Sequence, residues 1–592
     1  MQATWRRLCR AGYGQTVLGP VAEGMLRRPG VGIAVTVAVL AVSALFAVGA
    51  PERLPVLGSL GDEEPPRGEL VLVTSGKEPV RSPVYRTALD VIAARVEAEG
   101  LVTAVRDAPV GADRRTTALI VTFEPSAGAG ERERAAEAMV EGIDPGPLRV
   151  LATGLAPTGE EARDAVQSDL AELELLVAPL VLLVLLAAGG WRFALVALVA
   201  AATGALGAIA GLRLLGELTD AGAAGIAAGA GVAVVVAVEG ALTIGARSRG
   251  GPGDASEEGL VRGAVRSAAV LVPATAAAIL APLAILVVSV PVARSAAAGA
   301  ALGAGLATIA ALLVAPALLA IGRHGAEPGG VGEQEERPPR RLARALLRRW
   351  PLAAALLAVA VATLVAAALP FEGSEPVALA PGGLPADSDA ARGAELAGKE
   401  LDAEKLSSIV RPTEPDDLTI RLAIAAGIAA LLVAAACFAL ARSAAAIALG
   451  AVSVLPAAAA LGLLELVFGA GRLSGTLDYA PAREPSATAA IIAPTVLGAV
   501  AALRAVRAAP LLRRAGGPRN GSTRLRGVRR LTRLELGPAL AGSVVGALVF
   551  GALAGSELLP AKEVGLAVAV GLLLDLLLVR CLIVPALARL GG

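Results

Sequence analysis

The sequence predicts a membrane all-α bundle of about twelve transmembrane helices in two parallel-type six-helix repeats, with one α+β ferredoxin-like extracytoplasmic domain. Three observations lead there. Hydrophobic residues make up 55% of the 592 residues and charged residues only 18%. Apolar runs of about 20 residues, the length that crosses a bilayer, recur along the chain. The two halves begin and end on matching residues, the mark of an internal repeat.

The N-terminal segment, 1–30, carries Arg6, Arg7, Arg27 and Arg28 ahead of an apolar run at 31–50. That run is longer than the core of a signal peptide and more spans follow, so it reads as an uncleaved first span. Cleavage near Ala47 to Ala50 is the alternative. The polar stretch 51–171 alternates short β-rich runs, at 70–74, 101–105, 118–123 and 148–152, with helical patterns at 84–99 and 131–141. This β-α-β-β-α-β order predicts the ferredoxin-like domain. A helix from about Thr158 continues towards the second span.

Spans two to six occupy 172–321, with runs at 172–188, 191–215, 221–246, 266–290 and 293–321. A polar linker, 322–350, leads to the seventh span at 351–370. The second extracytoplasmic segment, 371–418, is too short to repeat the first domain. Ser388 caps a helix predicted over 389–401. Spans eight to ten fill 419–508, as runs at 419–441, 443–469 and 485–508. A basic loop, 509–535, precedes the last two runs, 536–554 and 563–588, within 536–592.

Arginine gathers before the first span, at Arg247 and Arg249, from Arg340 to Arg349, and from Arg504 to Arg533. All four clusters fall on one side if every run spans, and the positive-inside rule makes that side cytoplasmic. Both termini are then cytoplasmic and both polar segments face outward, in a multi-pass protein of the cell membrane. In the last cluster, Leu525, Val528, Leu531 and Leu534 interleave with arginines at helical spacing. They predict a basic amphipathic helix on anionic inner-leaflet lipid.

The repeat is read from particular residues. The sixth run ends on Leu312-Leu313-Val314-Ala315-Pro316, with Gly322 six after the proline. The twelfth ends on Leu582-Ile583-Val584-Pro585, with Gly591 six after its proline. Arg27-Arg28-Pro29 opens the first run and Arg348-Arg349-Trp350-Pro351 the seventh. Two halves of the same orientation imply a pseudo-twofold axis along the membrane normal.

Several stretches resemble the MMPL-type branch of the resistance-nodulation-division (RND) transporters. Val564-Gly565-Leu566-Ala567-Val568-Ala569-Val570-Gly571-Leu572-Leu573-Leu574-Asp575, with Val579-Arg580 and Pro585 beyond, is similar to that family's last span. Leu384-Pro385-Ala386-Asp387-Ser388 is similar to its outer segment after the seventh span. Ser168-Asp169-Leu170 through Pro179 is similar to the start of its second span. The resemblance implies export of a hydrophobic or lipid-like substrate, driven by a proton gradient. The family's coupling motif, Gly-Val-Asp-Tyr in the fourth span with an arginine eight residues after the acid, corresponds here to Val238-Glu239-Gly240 and Arg247. Glu239 stands for the aspartate and Gly240 for the tyrosine. The tenth span has no acid, and Thr495 is its nearest polar candidate. That departure, with the reduced second outer segment, sets standard proton coupling in question and keeps open a non-pumping scaffold or lipid-binding component of an envelope assembly.

The residues themselves give the same candidates. An ionised carboxylate in lipid costs roughly 3 kcal/mol or more, so Glu239 in its apolar run is either a proton relay or part of an ion pair. Asp575 is the second buried acid, with Arg580 five residues on, which an α-helix places on a different face. A structural ion-pair network is its plainer role. Glu465, near the outer end of the ninth span, is expected to reach the interface. Close helix packing is predicted at Gly207/Gly211, Gly225/Gly229, Gly299/Gly303 and Gly542/Gly546.

Other classes find no support. Net charge is +1, which gives no reason to expect nucleic acid. Cys9, Cys437 and Cys581 make no disulfide framework, and the sole histidine, His324, has no metal-ligating neighbours. With no phosphate loop and no nucleophile–base set, neither a cofactor nor an enzyme activity is expected. The expected partners are the bilayer, the substrate, and a homo-oligomer or envelope-assembly component.

Overall fold

The computed structural model describes residues 29–47, 70–216 without 109, 125, 126 and 128, then 222–248, 257–321, 350–371, 384–401 without 386, 417–474, 485–515 and 532–590. The basic helix predicted within 509–535, His324 and most of the N-terminal segment lie outside these residues.

Helix α1 spans Pro29–Ala47. The mixed domain follows as β1 Leu70–Gly76, α2 Pro83–Glu97, β2 Val102–Asp107, β3 Thr116–Phe123, α3 Ala129–Glu141 and β4 Leu148–Thr153. Its four strands pair antiparallel in the order β2-β3-β1-β4. Successive side chains of a strand face opposite ways. Leu70 and Leu72 therefore pack with Tyr85, Ile92 and Met139 of α2 and α3, while Val71 and Val73 face the other side.

Helix α4, Leu155–Gly189, leaves the domain and continues without a break through the second apolar run. At 1.5 Å per residue it is about 50 Å long. Then come α5 Trp191–Gly216, α6 Ala223–Ser248, α7 Glu257–Leu280 with a 3-10 turn Pro282–Val288, and α8 Pro291–Ile321. The second half runs through α9 Trp350–Ala368, α10 Asp389–Glu400, α11 Leu418–Ala441, α12 Ala444–Val452, α13 Leu455–Leu464 with a π turn Glu465–Gly469, and α14 Ala487–Ala515. A π turn Thr532–Leu536 opens α15 Gly537–Ala552. Then α16 Leu559–Leu574, a π segment Asp575–Ile583 and α17 Val584–Leu590 form the last span. Among the described residues, ten helices are long and apolar enough to cross a membrane, and Ile33–Ala47 and Val177–Gly189 are shorter apolar helices. The protein is a multi-pass membrane protein.

Glycine sets the closest contact in the bundle. A Cβ on Gly299 or Gly303 would collide with the backbone carbonyl of Gly225 or Gly229, so α8 and α6 touch main chain to main chain. On the side of the bundle that carries the mixed domain, α10 acts as a brace. Ser388 caps it by accepting from Ala391 N–H, and Glu161 of α4 accepts from Ala390 N–H at 3.0 Å. Its Ala397, with Leu401 just beyond it, covers Val71, Val73, Ala118 and Ile120 on the open face of the sheet. The cap and the helix stand where the sequence placed them.

Two boundaries differ from the expected ones. The ninth span is interrupted at Ser453 and Val454, where Pro456 lies in the first turn of α13. The tenth span does not end at about 508: α14 continues to Ala515 despite Pro494 and Pro510. Arg504 and Arg507, which the sequence places at the end of the tenth run and also at the start of the basic cluster, lie about two to three turns inside this helix.

Candidate functional site

Two arginines of α14, Arg504 and Arg507, are fully buried. Three residues apart, they project from neighbouring positions on one helix face and meet acids from three other helices. Arg504 donates through Nε to Glu239 Oε1 at 2.6 Å and through Nη1 to Asp575 Oδ2 at 2.6 Å. Its Nη2 also reaches Glu239 Oε1, and the carbonyl of Ala539 at 3.3 Å. Arg507 lies 2.9 Å from Glu239 Oε2, donates to Glu535 Oε2 at 2.8 Å, and reaches Thr243 Oγ1 at 3.2 Å. Arg580 holds Asp575 with both arms of its guanidinium, each at 3.2 Å.

The groups form one alternating chain: Glu535, Arg507, Glu239, Arg504, Asp575, Arg580. Three acids face three guanidinium groups, so the formal charge balances inside the bundle. Each acid except the terminal Glu535 lies between two cations. Removing one member of such a buried set costs about 3–5 kcal/mol, because it strands a charge away from water.

Glu239 is completely buried, as the sequence indicated for an acid in an apolar run. Its partners come from the tenth span, which has no acid but carries both arginines. Arg247, one of the expected partners alongside an arginine of another span, is half-buried two turns further along α6. Gly240 stands against α8, where an added Cβ would meet Ala311 Cβ at 3.4 Å. The expectation that Asp575 and Arg580 face different ways is corrected. Residues 575–583 form a π-helix, whose i→i+5 bonding brings residues five apart onto one side. Thr495 stands apart from the chain: its hydroxyl donates to Ile491 O at 2.6 Å. Arg504 and Arg507 were missed as site residues because, at the end of the tenth run, they count with the basic cytoplasmic cluster, and Glu535 because it closes the basic loop.

Gly542 of α15 makes room for the site. A Cβ there would lie 2.6 Å from both Cγ and Oε1 of Glu239. Gly542→Ala is expected to displace the carboxylate and destabilise the fold by about 1–3 kcal/mol, read by thermal denaturation in detergent. Gly551→Ala, whose Cβ would meet only Ala569 Cβ at 3.9 Å, is expected to leave stability unchanged.

A cavity of about 330 Å³ opens on the domain side of the chain of charges. Pro494, Thr495 and Gly498 of α14 form one wall, and Leu422, Leu461 and Phe371 belong to others. Among the described lining residues, only Thr419 and Thr495 bring polar side chains. Gly498 has no atom within 4 Å of an added Cβ. The cavity and the paired arginines thus share one helix, with Arg504 six residues, or about 9 Å, beyond Gly498.

The sequence matches the MMPL family over residues 70–365 and 519–592, well over half the chain. The chain belongs to the MMPL family. Glu239, Glu535, Asp575 and Arg580 fall inside the matched stretches, and Arg504 and Arg507 between them. Two solved structures share the fold. SecDF in its super-membrane-facing form aligns with a TM-score of 0.55 at 13% identity, covering 94% of this chain and 98% of that one. SecDF from Thermus thermophilus, a translocon-associated membrane protein, aligns at 0.54 and 14%, covering 93% and 99%. No curated protein matches the sequence. This MMPL protein is therefore a membrane transporter-family chain with an RND-type fold.

Proposed function

We propose that this chain is a cell-membrane transporter that uses the proton gradient to export a hydrophobic or lipid-like substrate. The observation that carries the reading is the placement of Glu239. An acid of the first half is held between two arginines of the second, and in duplicated transporters coupling sites lie where the halves meet. A proton on Glu239 cancels its charge and leaves Arg504 and Arg507 to Asp575 and Glu535. The chain then has two arrangements, and α14 carries the difference to the cavity wall. The scale fits. One proton crossing 100 mV releases about 2.3 kcal/mol, and a unit ion pair at 4 Å is worth about 4 kcal/mol at an effective dielectric of 20.

The apolar cavity supports a hydrophobic substrate. The strand order β2-β3-β1-β4 and the helix crossovers support a ferredoxin-like outer domain. Adding α1 and the apolar end of α4 to the ten long spans gives twelve, with both termini inside.

The test is purified protein in vesicles bearing a pH gradient and a fluorescent fatty-acyl probe. Gradient-dependent movement of the probe is expected. Gly498→Leu, which fills open space, is expected to leave denaturation unchanged within about 1 kcal/mol while slowing the probe about tenfold. Movement independent of the gradient would refute proton coupling. Equal movement in the Gly498→Leu protein would refute the cavity as the route.

The likeness to a translocon-associated protein favours a second reading, a component of an envelope assembly. Capture of stoichiometric partners from native membranes, with no transport by the isolated chain, would favour it.

A further inference from the structure

The bundle holds another fully buried carboxylate, Glu563, which the chain of six charges does not include. It lies in the first turns of the last span, twelve residues before Asp575, or about 18 Å along the helix. Its surroundings differ in kind. Glu239 and Asp575 each meet two guanidinium groups. Glu563 meets the residue just ahead of α14: its Oε2 accepts from the backbone N–H of Ser486 at 2.9 Å and also from the Ser486 hydroxyl. That hydroxyl in turn accepts from Ala489 N–H at 3.2 Å, so its proton is directed at the carboxylate. The other oxygen, Oε1, is buried and has no hydrogen-bond partner among the described residues.

The charge acting on Glu563 from the neighbouring span is another acid, Glu465, on the π turn after α13. Lys562, next in the chain, is buried with interactions of its own, and Glu557 lies exposed on the preceding turn. Asp478, Arg483 and Glu484, in the connection before Ser486, lie outside the described residues. Two acids repel when both are ionised, and a proton on one removes that repulsion. Oε2 is already occupied by two donors, so Oε1 is the place for the proton.

The geometry points to Glu563, positioned by Ser486, as a second proton-binding site on the domain side of the membrane, separate from Glu239. Its ligand is the proton itself. It joins the start of the last span to the start of α14, the two helices that carry Asp575 and the paired arginines deeper in the bundle. A proton taken up there acts on the same two helices without touching the chain of charges.

Infrared difference spectroscopy of the full-length protein in lipid vesicles across a pH titration tests this. The wild type is expected to show a titrating carboxyl C=O band that Glu563→Gln removes and Glu239→Gln keeps. Ser486→Ala, which retains the carboxyl and guards against a folding defect in the first variant, is expected to move the midpoint of that band by about one pH unit, the scale of one hydrogen bond to a charged group. Spectra of Glu563→Gln and Ser486→Ala that superimpose on the wild type would overturn the assignment. Because the readout is proton binding and not transport, it stands or falls apart from the coupling role of Glu239.

Discussion

Arg504→Met is expected to lower folding stability by about 3–5 kcal/mol. Methionine fills most of the volume, so lost packing is a small part of this. The larger part is electrostatic. The substitution removes the cation that joins Glu239 to Asp575 at 2.6 Å each and leaves two carboxylates facing a gap in apolar surroundings. Asp575 keeps Arg580 and Glu239 keeps Arg507, so the loss is of one cation among six groups. The expected result is a lower yield of monodisperse protein and a lower denaturation midpoint in detergent. Adding Glu239→Gln to Arg504→Met restores charge balance and should recover part of the loss, a coupling of about 1–3 kcal/mol in a double-mutant cycle. Additive losses would mean that the two side chains do not act as a pair.

Glu239→Gln alone is expected to abolish gradient-driven transport, with a fall of at least about 100-fold, equivalent to about 2.7 kcal/mol of lost coupling. Glutamine has nearly the shape of glutamate and keeps an oxygen for Arg504. Asp575 and Glu535 still hold the arginines. The fold should therefore persist, less stable than the wild type, while the group proposed to exchange the proton is gone. Binding of the acyl probe in the cavity should survive, since the cavity lining includes none of the six charges. Glu239→Asp, an acid on a shorter stem, should retain a measurable part of the rate. Transport and binding lost together would indicate a collapsed bundle instead of a lost proton site.

Much of this was legible in the sequence because lipid constrains it strongly. Runs of about 20 apolar residues can do little but span, and each of the twelve runs overlaps a helix of the structure. The strands of the mixed domain were legible from their Val, Leu and Ile content, and the α10 cap from Ser388. Glu239 stood out because a lone acid in Val and Ala needs a reason. Its partners did not stand out. Arg504 and Arg507 close the predicted tenth run and open a dense basic cluster, so they read as topology-setting charges at the membrane edge until the helix is seen to continue to Ala515. Asp575 and Arg580 were visible, but helical spacing alone gave the wrong face, because sequence does not announce a π segment. Glu563 was passed over for a related reason: an acid three residues after a proline at the edge of a span looks solvated, and only the fold brings Ser486 onto it.

The proposed coupling rests on Glu239, held between Arg504 and Arg507, taking up and releasing the proton while the arginines stay charged. The most direct measurement needs no substrate. Vesicles containing the purified protein and an internal pH-sensitive dye are placed under a membrane potential, and proton entry is followed. The wild type should acidify the interior faster than vesicles bearing the same amount of folded Glu239→Gln protein, whose rate should match protein-free vesicles. Equal proton entry through the wild type and Glu239→Gln would contradict the account.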